Sequence, residues 1–136
     1  MVDRDRDRDR EQTHVHEFLG STLLASPPKR LDLLHNHRFA GVTGEAIPTA
    51  KSHVHILKTN TDFFVAHYHT MEVKTGEAIP VYDENKKVFG HIHGFTGTTS
   101  FDAGHRHDFK GNTLIENPSG PIETDRREDY NDEEYE

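Results

Sequence analysis

All twelve histidines of this 136-residue chain fall in six His-x-His pairs: His14/His16, His35/His37, His53/His55, His67/His69, His91/His93 and His105/His107. Two imidazoles at i and i+2 of one strand point the same way and can chelate a single metal ion through their ring nitrogens. The chain has no cysteine, which leaves nitrogen and oxygen as its only strong ligands. Neutral imidazole suits Fe, Ni, Co, Zn and Cu, so a transition-metal ion is the cofactor that this spacing points to.

The residues after each pair recur as well. The six copies read HVHEFLGST, HNHRFAGVT, HVHILKTNT, HYHTMEVKT, HIHGFTGTT and HRHDFKGNT. Counting the first His as zero, position +4 is Phe18, Phe39, Leu57, Met71, Phe95 or Phe109, and position +8 is Thr22, Thr43, Thr61, Thr75, Thr99 or Thr113. Position +6 is glycine in four copies, as Gly20, Gly41, Gly97 and Gly111. Positions 0, +2, +4, +6 and +8 form one face of a strand, because side chains alternate with period two. The other face carries residues such as Glu17, Arg38, Lys58, Glu72, Lys74 and Lys110, which suit water. A helix would point the two histidines of a pair about 200° apart and give the spacing no reason to recur. The His-His-Phe-Gly-Thr face is therefore expected to point inward, with the glycines at a crowded axis or a bulge.

The strands group into three pairs beginning at His14, His53 and His91, spacings of 39 and 38 residues. Each second strand runs into a related tail, Thr43-Gly44-Glu45-Ala46-Ile47-Pro48, Thr75-Gly76-Glu77-Ala78-Ile79-Pro80 and Thr113-Leu114-Ile115-Glu116-Asn117-Pro118. The recurring proline is expected to mark the end of each pair. The predicted fold is a single all-β domain over residues 13–118, built of three tandem strand-pair repeats of about 38 residues. They would form a pseudo-threefold, six-stranded barrel or prism with a His-lined interior. A charged N-terminal tail (1–12) and an acidic C-terminal tail (119–136) flank it.

If the repeats wrap one axis, equivalent pairs converge into two six-nitrogen sets. One holds His14, His16, His53, His55, His91 and His93, the other His35, His37, His67, His69, His105 and His107. Six nitrogens favour octahedral coordination and hence Fe(II), Ni(II), Co(II) or Mn(II), with three- or four-His Zn or Cu sites as the alternative. The chain would then carry two or more ions. Such sites would contribute folding free energy on the order of 10 kcal/mol each to a chain only 32% hydrophobic. The metal-free reading has the histidines bonded to threonines, carbonyls and trapped water, with each unsatisfied ring nitrogen costing roughly 1–3 kcal/mol.

The function this implies is metal binding in a structural role, with storage or electron transfer also open. Catalysis is not expected, since no carboxylate recurs beside the histidines. Glu72 after His67-Tyr68-His69 approaches a cupin motif in spacing only, and Lys110 stands where a metallo-hydrolase needs a ligand. A saturated six-His site would leave no position for a small-molecule substrate, so no catalytic residue is assigned.

The net charge of −8 is carried by the ends, with nine acidic and two basic residues in 116–136. The middle has no basic cluster, which excludes nucleic acid as a partner, and no apolar run approaches the roughly 18 residues of a membrane span. An Arg/Asp run, Asp3 to Arg10, stands where a signal peptide would be apolar, pointing to the cytoplasm, with an extracellular, spore or cell-surface site as the alternative. The two tails could pair between neighbouring copies. The second functional reading is thus a self-assembling structural protein, a filament or surface subunit, with a homo-oligomer or polymer as the expected partner state.

The landmarks HVHEFLGST, HNHRFAGVTGEAI, SHVH, TDFF and GHRHDF resemble the YmaF family of His-x-His repeat proteins from Firmicutes, over roughly residues 14 to 116. The resemblance supplies a family and implies no particular activity.

Overall fold

The computed structural model describes residues 13–117. In chain order its elements are β1 (Glu17–Ser21), a 3-10 turn (Leu31–Leu33), β2 (Arg38–Val42), β3 (Ile47–Pro48), β4 (His53–Val54), β5 (Ile56–Asn60), β6 (Thr70–Lys74), β7 (Ala78–Tyr82), β8 (Val88–Thr98) and β9 (Asp108–Asn112). The protein is all-β. Both charged tails and Pro118 lie outside the described residues, and within these no helix is long and apolar enough to cross a membrane.

Three antiparallel hairpins, β1–β2, β5–β6 and β8–β9, carry the core, and their registers correspond. Phe18 faces Gly41 and Gly20 faces Phe39 in the first, and Phe95 faces Gly111 and Gly97 faces Phe109 in the third. The glycines make room for rings: a Cβ on Gly41 would lie 2.7 Å from Phe18 Cζ, and one on Gly20 2.9 Å from Phe39 Cζ. In the second hairpin the +4 residues are the slimmer Leu57 and Met71, and the residues opposite them are Val73 and Thr59. Side-chain volume moves from one strand to its partner, which keeps the layer filled. Phe18, Phe39, Leu57, Met71, Phe95 and Phe109 form one buried cluster with Val73 packed against it.

Four expectations need correction. The sheets are small and separate, β1-β2, β3-β4, β5-β6 and β7-β8-β9, and no continuous six-stranded barrel closes among the described residues. Neighbouring hairpins are joined by single backbone bonds just past each threonine. The N–H groups of Gly44, Gly76 and Leu114 donate to the carbonyls of Ile56, Gly94 and Glu17, and those of Leu23, Asp62 and Ser100 to the carbonyls of Asp108, Arg38 and Thr70.

The histidine pairs mostly precede the strands instead of lying within them; only His53 in β4 and His91 and His93 in β8 are in strands. The reason is that the inner histidine's N–H is taken by a threonine hydroxyl, as His16 N–H is by Thr43 Oγ1 at 3.1 Å, so the backbone ladder stops there. Nor do Pro48 and Pro80 end a strand pair. They sit in β3 and β7, opposite His53 and His91, so each Gly-Glu-Ala-Ile-Pro tail is a short strand laid on the next repeat's first histidine segment. Proline is tolerated there because these are edge strands. The glycines are not at bulges either; the register shift among the described strands lies between Val81 and Tyr82.

Candidate metal centre

The hairpins run between two clusters of histidine. One joins His14, His16, His53, His55, His91 and His93, the other His35, His37, His67, His69, His105 and His107, and in each all six ligand nitrogens lie within 4.8 Å of one another. These are the two sets expected from the repeat. Each could hold a metal ion.

The inner histidine of every pair is held by the threonine eight positions past a first histidine. In β1–β2, Thr22 donates its N–H to the His37 carbonyl, while its Oγ1 accepts the His37 N–H at 2.9 Å. The same exchange joins Thr43 to His16, Thr61 to His69, Thr75 to His55, Thr99 to His107 and Thr113 to His93. The carbonyl of the next residue then accepts the Nδ1–H of an inner histidine in the neighbouring repeat. Gly44 serves His55, Gly76 serves His93 and Leu114 serves His16, each at 2.8 Å. At the other cluster Asp62, Ser100 and Leu23 serve His37, His69 and His107 at 3.1, 2.9 and 2.8 Å.

These contacts settle where the ring protons are. A carbonyl oxygen can only accept, so the Nδ1 facing it carries the hydrogen and Nε2 keeps its lone pair. In the second cluster all six rings are fixed this way, because the outer His35, His67 and His105 donate Nδ1–H to the carbonyls of Leu33, Val65 and Ala103 at 2.6, 2.8 and 3.0 Å. In the first cluster His16, His55 and His93 are fixed by carbonyls, and the outer His91 has Nδ1 3.2 Å from Glu116 Oε2. Six Nε2 lone pairs therefore converge on one point in the second cluster. Neighbouring Nε2 atoms there are 3.1–3.3 Å apart, as in His35–His37, His37–His67, His67–His105 and His105–His35. Two bare lone pairs at that distance do not bond. Nε2 of His55 and of His69, both buried, have no hydrogen-bond partner among the described residues.

The arrangement in each cluster is octahedral. Every ring lies edge-on to all the others but one, with centroids 4.4–5.1 Å apart in the first set. The exceptions are the pairs across the centre, His14/His93, His16/His53 and His55/His91. In the second set they are His35/His69, His37/His105 and His67/His107. An ion at the centre of an octahedron whose adjacent corners are 3.1 Å apart lies about 2.2 Å from each nitrogen, a metal–imidazole bond length.

Burial favours the neutral, ligating form of nine of the rings. Burial, helped by neighbouring imidazoles, lowers His14, His93 and His107 to about 4, and burial also lowers His16, His37, His53, His69, His91 and His105. The close carboxylates are thus acceptors for neutral N–H groups. Asp62 Oδ1 is 3.1 Å from His37 Nδ1, and Asp102 Oδ2 is 3.4 Å from His69 Nδ1. Sequence reasoning alone does not single out Asp62, Asp102, Glu116 or the backbone acceptors. The signal that points toward them is the unvarying Thr, whose partners only the folded chain reveals.

A family model described as spore germination protein GerY/YamF matches residues 11–115. No curated protein and no solved structure matches the chain.

Proposed function

The chain belongs to the YmaF family, and we propose that it is a non-catalytic protein that holds two transition-metal ions, one in each histidine octahedron, as structural staples. The observation that carries this reading is the convergence of Nε2 lone pairs whose Nδ1 protons are fixed on carbonyls. A central cation turns six mutually repelling acceptors into six ligands, and the carbonyls and carboxylates behind them orient the rings and raise their basicity. Octahedral nitrogen favours Fe(II), Ni(II) or Co(II) over Zn or Cu. All six positions are filled by protein, which supports a structural role over catalysis. The description of the family model, a spore germination protein, supports a role of this kind in spore germination.

The same reading includes a pseudo-threefold prism. It is supported by the cyclic order of the bonds between hairpins: beside the first cluster each repeat donates to the next and the third to the first, and beside the second cluster the donation runs the opposite way round the same ring. Each ion would then tie all three repeats together.

Thermal unfolding with and without added Ni(II) tests the reading. One ion at about a thousand times its Kd should add about 4 kcal/mol of stability. His53→Ala with His55→Ala should remove that gain at the first octahedron. A melting temperature indifferent to metal, and to this double substitution, would overturn it.

A further inference from the structure

The two octahedra share their inner halves and differ in their outer ones. At the second, each outer ring is tethered by a carbonyl two residues earlier: Leu33 for His35, Val65 for His67 and Ala103 for His105. To present those carbonyls the loops bend back sharply, with one isolated bridge each, Ala25–His35, Phe64–His67 and Asp102–His105. Val65, Ala66 and Ala103 take positive φ angles of 56°, 62° and 52°. A β-branched residue in the left-handed region is strained, and the fold retains such strain where a geometry is held for a purpose. The same loops roof the site. Pro27, Leu33, Val65 and Ala103 enclose a cavity of about 70 Å³ above His35, His67 and His105; His35 and His105 are only 6% and 5% exposed, and His67 is half-buried.

The first octahedron has no such roof among the described residues. Its outer rings His14, His53 and His91 are all only half-buried. Among the described residues only His91 has an Nδ1 partner, the Glu116 carboxylate. His14 lies ahead of β1, outside any sheet. Among the described residues nothing holds its Nδ1, so within these its ring could swing away from the centre and free a coordination position without breaking a hydrogen bond there, whereas His35, His67 and His105 would each have to break one.

We propose that the two sites differ in exchange: the first octahedron, opened by His14, takes up and releases its divalent ion, while the roofed second octahedron retains its ion. This rests on the metal reading above. Outer partners of ligating histidines typically change metal affinity about 10–100-fold, and the release rates should separate by a similar factor.

The test loads the full-length protein with Ni(II), counts bound ions, and then tracks release to excess chelator. Two ions leaving in two phases, about tenfold or more apart, is the expected result. His14→Ala should speed or empty the fast phase alone, and His105→Ala should do the same to the slow phase alone. Val65→Gly keeps the backbone carbonyl that tethers His67 and suits the left-handed backbone; by thinning the roof it should speed the slow phase and leave the fast one unchanged. Two ions leaving at one rate, or a fast phase unchanged by His14→Ala, would overturn the inference while leaving metal binding intact. No bound ion at the counting stage would overturn both.

Discussion

A single hydroxyl organises each inner ligand. Thr22 Oγ1 accepts the buried His37 N–H, and Thr43 Oγ1 both accepts the His16 N–H and donates to the Gly44 carbonyl, the acceptor of His55 Nδ1–H. Valine has nearly the same shape and neither capacity. Thr43→Val should therefore leave a buried donor unpaired and cost about 1–3 kcal/mol, read by urea denaturation, and it should weaken the first site before the second. A loss below a few tenths of a kcal/mol would mean that the hydroxyl is incidental. The His-x-His spacing is legible in the sequence because two-residue alternation is local and needs no partner. The role of Thr43 is not, since its partners lie 27 residues back at His16 and 12 residues ahead at His55.

Along each hairpin, ring and glycine answer one another. Gly20→Ala would drive a methyl into Phe39, whose Cζ is 2.9 Å from the Cβ position, and should cost about 1–3 kcal/mol. Pairing it with Phe39→Leu imitates the Thr59 and Met71 arrangement of the second hairpin and should recover part of the loss. A double-mutant cycle with no coupling would contradict the account. The strand face and the threefold recurrence are readable from Phe18, Leu57 and Phe95 at one offset. The strand boundaries are not. Ile47-Pro48 and Ile79-Pro80 read as terminators because proline breaks a ladder, yet each lies on an edge where its missing N–H is not needed. The separate sheets are equally hidden, because whether neighbouring hairpins pair fully or touch at two isolated backbone bonds depends on the threonine exchange.

Taken as one molecule, the protein places a thin apolar layer of six side chains between two polar octahedra. Without metal this is an acid-sensitive design. His14, His93 and His107 are held near 4 by burial, against 6.5 for an exposed ring. Between those values the unfolded chain binds more protons than the folded one, so stability is full above about pH 6.5 and falls as pH drops toward 4. Denaturation of the metal-free chain across that window should show the decline, and a flat profile would contradict the neutrality of the rings. The claim on which everything else depends is that cations occupy the two centres. The direct measurement is metal content by plasma mass spectrometry on untagged protein purified from its own host without chelators. The account predicts close to two transition-metal ions per chain; a fully folded, stable chain carrying none would contradict it.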